Sequence, residues 1–173
     1  MGTPKTLIDA DTIEARVREL GAEITRDYRE RGDLVLVPVL KGSFVFGADL
    51  ARSIDLPLSV DFFGCRSYEG TKTTGVVQTT LDLSSSIEGK HVIIVEDIVD
   101  TGLTMQYMLD NLRTRRPASL ALASLLHKPA RTKVDVTIDY LGFTIEDVFV
   151  IGYGLDVDEL YRNLPYLAVM VDP

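Results

Sequence analysis

Cysteine is nearly missing from this chain: Cys65 is the only one, so no disulfide can form within it. That suits a reducing compartment, and a cytoplasmic location is expected. Cys65 itself reads as a small strand residue. No run approaches the roughly 20 apolar residues of a membrane-spanning helix, and the first residues lack the charged-then-apolar pattern of a secretory leader. Met1, Gly2 and Thr6 match a myristoylation pattern formally, a short match that reads as coincidence. Positive charge is in the minority. With 18 Lys and Arg against 26 Asp and Glu, the net charge is −8, which argues against a general nucleic-acid surface. There is no Gly-x4-Gly-Lys-Ser/Thr loop of a P-loop NTPase, and no Asp-x-Asp-x-Thr of phosphatases that use an aspartyl nucleophile. His91 and His127 stand apart from any metal-ligating cluster and read as structural.

What is present fits one domain. Of 173 residues, 46% are hydrophobic and 25% charged, and a chain of this length buries about 70% of its unfolded surface. It is organised around residues 92–105. Val92 to Val95 are apolar and mostly β-branched, as in a strand buried on both faces of a parallel sheet. An acidic turn, Glu96-Asp97, and a small polar loop, Asp100 to Thr104, follow. Met105, Met108, Leu109 and Leu112 then mark one face of a helix. Ligands of open α/β sheets sit beyond the carboxyl ends of the strands, where these polar groups project. Thr101 to Thr104 offers hydroxyls, Gly102 and the free N–H groups of a helix start, which suit a phosphate. Glu96 and Asp97 suit sugar hydroxyls or hydrated Mg²⁺. A phosphorylated ribose wants both halves. Three carboxylates within residues 96–100 repel one another unless a cation is bound.

The rest of the chain supplies scaffold and further loops. Residues 1–10 read as an entry arm without chemistry. Asp11 and Glu14 have capping-box spacing, and Ile13, Val17, Leu20 and Ile24 form a helical apolar stripe ending before Gly32. Leu34 to Leu40 is a second buried strand that runs into Lys41-Gly42-Ser43, ahead of an apolar helix from Phe44 to Leu50. A cation and a glycine at the same sheet edge as a ribose site suit pyrophosphate. Leu58 to Phe63 and Val76 to Leu81 read as strands, joined by a stretch that Gly70 and Gly75 bound like a hairpin tip. Leu83 to Lys90 is a polar connection. Arg113, Arg115 and Arg116 end the central helix and complement its dipole. Leu120 to Leu126 is a strand ending in His127-Lys128-Pro129, with Lys128 held extended by the proline. Residues 133–145 carry strand character and a turn at Gly142.

Val95-Glu96-Asp97-Ile98-Val99-Asp100-Thr101-Gly102 resembles the PRPP-binding signature of the type I phosphoribosyltransferases, in the form of their hypoxanthine-guanine branch. Val39 to Ser43, Lys128, and Val148 to Asp156 extend the likeness over about residues 34–167, in the family's order. The implied fold is α/β: a central, mostly parallel sheet flanked by helices, in a single domain. Its core would span about residues 10–132, its C-terminal hood mainly 133–173, and a flexible lid hairpin about 66–77. The implied activity is purine salvage: 5-phosphoribosyl passes from PRPP to hypoxanthine and/or guanine, giving IMP or GMP and pyrophosphate. The resemblance also implies Mg²⁺ as cofactor and a homo-oligomer, dimer or tetramer, without nucleic-acid or membrane partners.

It implies residue roles as well. Glu96, Asp97, Ile98, Val99, Asp100, Thr101, Gly102, Leu103 and Thr104 would hold the ribose phosphate, with Asp100 acting as base on the purine. Leu40, Lys41, Gly42, Ser43 and Arg162 would take pyrophosphate, and the Leu40–Lys41 peptide can be cis in that family. Lys128 would donate to O6 of a 6-oxopurine, Phe149 would stack on the base, and Val150 would offer backbone groups to its edge. Glu96 and Asp97 would face one Mg²⁺ and Asp156 a second. Ser67 and Tyr68 fall in the lid, whose closure would keep water from a cationic sugar centre. Two rivals are a regulator that keeps the PRPP fold to sense nucleotide while binding RNA, and a xanthine-preferring phosphoribosyltransferase. The acidic balance, and Lys41, Asp100, Lys128 and Arg162 together, count against the regulator.

Overall fold

The computed structural model of the protein describes residues 3–68 and 76–171. Its centre is three parallel strands: β2 (Leu34–Leu40), β6 (His91–Val99) and β7 (Ser119–His127). β6 is inner and bonded on both sides, so its apolar run is buried throughout. Around it the seven-stranded sheet takes in β4 (Phe63–Tyr68) and β5 (Val76–Leu81) at one side, and β8 (Tyr140–Thr144) at the other. β3 (Leu58–Val60) pairs with the first half of β2, and β4 takes over at Val39 and Leu40. The sheet is therefore parallel except for the β4–β5 pair.

Side-chain alternation along the strands builds two apolar layers. Leu34, Leu36, Ile93 and Val95 face the helices α1 (Ala10–Tyr28) and α2 (Phe44–Ser53), meeting Ile13, Leu20, Ile24, Phe46 and Leu50. Val35, Val37, Val92 and Ile94 face the other way, toward Met105, Met108, Leu109 and Leu112 of α3 (Leu103–Arg113). Helices on both faces are what two-sided apolar strands require. Among the described residues, no helix is long and apolar enough to cross a membrane.

Several expectations shift. The acidic pair is not a turn: β6 runs through Glu96 and Asp97 to Val99, because β7 continues to bond beside it as far as His127. The cap of α1 is Asp9, whose carboxylate accepts from Thr12 N at 2.8 Å. Asp11 instead lies in the first turn, where its charge suits the helix dipole. The strand expected from Leu58 to Phe63 is split after Val60: the Asp61 N–H still donates to the Leu36 carbonyl of β2, while its carboxylate accepts hydrogen bonds from Ser84 and Ser85. Gly142 makes no turn. It lies inside β8, where a Cβ would collide with the Leu125 carbonyl. The entry arm is a strand, β1 (Thr3–Ile8), antiparallel to β10 (Leu167–Val171), which in turn pairs with β9 (Val150–Ile151). Val150 of β9 and its neighbours from Asp147 to Asp156 form a roof over the carboxyl edge of the large sheet, near Asp97, Asp100 and Lys128.

Candidate active site

β2, β6 and β7 run parallel and end on one side of the sheet, where the ends of β6 and β7 hand polar groups to a cavity of about 420 Å³ closed over by Val150 of β9 and its neighbours. Asp97 and Asp100 come from the end of β6 and Lys128 from the end of β7, while Phe149, Val150 and Asp156 come from the roof. A larger hollow of about 760 Å³ lies between α1, α2 and residues 162–165 and holds none of the carboxylates after β6. The smaller one gathers the groups expected to carry the chemistry.

The loop after β2 is pressed against Asp97, one of the carboxylates of this site. The Leu40–Lys41 peptide is cis. A Cβ on Gly42 would collide with the Asp97 carboxylate, and one on Gly154 with the Gly42 carbonyl. The loop is thus held between the acidic strand and the roof by the absence of side chains. Ser43 turns inward: it is fully buried, and both its hydroxyl and its N–H donate to the Val39 carbonyl. Lys41 reaches out and ion-pairs with Glu159 at 3.0 Å. That pairing holds the Glu159 carboxyl below the usual carboxylate range.

The loop after β6 turns at Gly102, whose φ of +82° favours glycine and which begins α3. The Thr101 carbonyl accepts from Lys133 and Val134 N–H groups at 2.9 and 3.0 Å, so residues 133 and 134 brace the loop from below. The carboxylates at the end of β6 and just beyond it are relieved in two ways. Asp100 accepts from Arg131 Nε at 3.0 Å. Glu96 is pushed well above the usual carboxylate range, first by burial and then by the charge of Asp97. Its Oε2 is buried without a hydrogen-bond partner.

Lys128 is only 8% exposed, and its Nζ stands 3.9 Å from Asp147 in the roof. Phe149 is the reverse, an aromatic ring 60% exposed beside the cavity. It is not core packing. Arg162 folds against the roof, bonding Gly154 O and the Asp156 carboxylate, each at 2.8 Å.

Residues 5–158 match the phosphoribosyl transferase domain family. The chain belongs to that family. Among its relatives is a hypoxanthine-guanine phosphoribosyltransferase of Dictyostelium discoideum, 52% identical over 90% of this chain and 89% of that one. A hypoxanthine-guanine-xanthine phosphoribosyltransferase of Tritrichomonas foetus is 45% identical, over 96% and 91%. A crystal structure of a hypoxanthine-guanine phosphoribosyltransferase from Bacillus anthracis, with HEPES in its active site, superimposes with a TM-score of 0.93. It is 45% identical and covers 99% of this chain and all of that one.

In this phosphoribosyltransferase the cavity brings together Asp97, Ile98, Asp100, Lys128, Phe149, Val150 and Asp156 of the expected site residues. Glu96 and Val99 lie outside its lining, Val99 packing in the apolar layer with Met105 and Met108, and Arg162 borders the larger hollow. Glu96, Asp97 and Asp156 do not form a three-ligand metal cluster among the described residues. The side chains of Ser67 and Tyr68, and residues 69–75 of the expected lid, lie outside the described residues. His91 bonds Ser119 at 2.7 Å and meets the Tyr28 ring edge-on. Arg113, Arg115 and Arg116 pair with Asp110, Asp82 and Glu88.

Sequence reading missed Arg131, Asp147 and Glu159. Arg131 had a signal: it follows Lys128 by three residues, one turn of the 3₁₀ helix Pro129–Arg131, which returns it to the same side. Glu159 precedes Arg162 by three residues, but its pairing with Lys41, like that of Asp147 with Arg131, joins segments remote in sequence and left no local signal.

Proposed function

We propose that this chain transfers the 5-phosphoribosyl group of PRPP to hypoxanthine and/or guanine, releasing pyrophosphate and forming IMP or GMP. One observation carries the reading: Asp100, Lys128 and the exposed ring of Phe149 share a cavity with Asp97 at the carboxyl edge of the sheet. A planar 6-oxopurine needs such a set, a face to stack on, a cation for O6 and a carboxylate for its proton.

Purine N9 attacks C1 of the ribose, the bond from C1 to the diphosphate oxygen breaks, and the proton on N7 passes to Asp100. Asp97 faces the ribose, and the nearby carboxylates favour the oxocarbenium-like sugar of the transition state. Lys41 and Arg162 neutralise the leaving diphosphate. Glycine at 42 and 154 lets this loop approach Asp97 closely. The residues fit Mg²⁺ bound together with substrate: Asp97 and Asp156 line one cavity, and Mg²⁺ is typically held by one or two carboxylates plus substrate phosphates rather than by a protein cage. When bound, it would supply positive charge to the diphosphate. Family membership also supports a homo-oligomer, of two or four copies, and the single cysteine supports a cytoplasmic setting.

A spectrophotometric assay with PRPP, Mg²⁺ and hypoxanthine, guanine or xanthine in turn tests this reading. Turnover with hypoxanthine or guanine is expected. Turnover with xanthine alone, or with no purine, would overturn it.

A further inference from the structure

We infer that Arg131 is the positioning residue for the general base, acting on the purine only through Asp100. The inference rests on the reading of Asp100 as that base. Asp100 stands at the end of the central strand, and its carboxylate faces a cavity of about 420 Å³ on which two other elements close. Arg131, at the end of the short 3₁₀ turn after β7, places Nε 3.0 Å from Asp100 Oδ1. Its Nη1 lies 3.8 Å from Asp147 Oδ2 in the roof, and the other oxygen of Asp147 lies 3.9 Å from Lys128 Nζ. One guanidinium thus ties the base to the loop that precedes Phe149, and the same roof carboxylate faces the lysine expected at O6.

The chemistry of the pair decides its role. A proton acceptor on a loop loses rate when its carboxylate rotates away from the line of transfer. A hydrogen bond to one oxygen leaves Oδ2 for the purine. Arginine suits the place because it stays protonated at any working pH, so it does not compete for the proton that Asp100 receives. Half-exposed ion pairs add little stability, and Arg131 is 48% exposed in its side chain. Its contribution is orientation rather than scaffolding, and its removal leaves no buried charge.

A double-mutant cycle tests this with purified enzyme, PRPP being varied at saturating hypoxanthine. Arg131→Gln should lower kcat about 10- to 100-fold with KM for PRPP within about twofold of wild type, in the range set by misaligned proton transfer. Arg131→Lys, which keeps one charged donor, should recover most of that loss. Asp100→Asn should lower kcat about 10²- to 10⁴-fold, and adding Arg131→Gln to it should change the residual rate less than about twofold, because the group it positions is gone. If the two losses multiply, or if Arg131→Gln leaves kcat intact while Asp100→Asn abolishes it, the positioning role fails and the base reading stands. If Asp100→Asn itself keeps full turnover, the base reading fails and takes this inference with it.

Discussion

Lys41 and Glu159 are 118 residues apart in sequence and meet at 3.0 Å, joining the loop after β2 to the roof above it. The same Glu159 oxygen lies 3.5 Å from Arg162. A single carboxylate therefore stands between the two cations expected to receive the diphosphate.

An anion already between those cations must be displaced by the incoming one. Glu159→Gln should tighten inorganic pyrophosphate binding about two- to fivefold, the modest size of an exposed ion pair. Titration calorimetry at low and high salt reads this. Weaker binding in the variant would show that Glu159 organises the cations rather than occupying their place.

Gly42 has no room for a side chain beside Asp97. Gly42→Ala should push the two apart and lower kcat/KM for PRPP about 100-fold, the cost of a displacement near 1 Å at a reacting centre. The melting temperature should change little, since the loop is outside both apolar layers. Retained activity would mean that the loop and Asp97 separate freely.

Lys128 is nearly buried, and Asp147 is its nearest carboxylate. Lys128→Ala should raise KM for hypoxanthine about 10- to 100-fold, as expected for a charged hydrogen bond, and erode the preference for 6-oxo over 6-amino purines. Steady-state kinetics with hypoxanthine and adenine provide the check. An unchanged preference would remove Lys128 from recognition of O6.

Glu96 gives a pH dependence whose sign can be worked out. Its carboxyl is raised well above the ordinary value of 4.5 by burial and then by Asp97. Across the interval between these values the folded chain keeps a proton that the unfolded chain has released. The stability so gained is present at low pH and falls as pH rises through that interval. Glu96→Gln cannot titrate. Thermal melts from pH 4.5 upward should therefore show the variant gaining on wild type as pH rises, whereas a constant difference would mean that Glu96 ionises normally.

The apolar runs Leu34–Leu40 and Val92–Val95 and the stripe from Met105 to Leu112 were legible as strands and helix, because burial on two faces or on one stripe leaves a local pattern. The shift of Glu96 and Asp97 from turn to strand was not. Their place depends on how far β7 continues to bond beside them, and that neighbour begins more than 20 residues later. Gly142 misled for a related reason: glycine serves a turn and a close backbone approach equally well, and only the position of Leu125 distinguishes them.

Local order along the chain determined that carboxylates, a helix start and two lysine-bearing loops would gather at one sheet edge, since parallel strands present their carboxyl ends together. Which cation meets which carboxylate was decided by the tertiary structure alone: Arg131 with Asp100, Lys41 with Glu159, Arg162 with Asp156. Such pairs depend on strand register and on the height of the roof over the sheet. Side chains of this length reach several partners, and the packing of the apolar layers beneath selects among them.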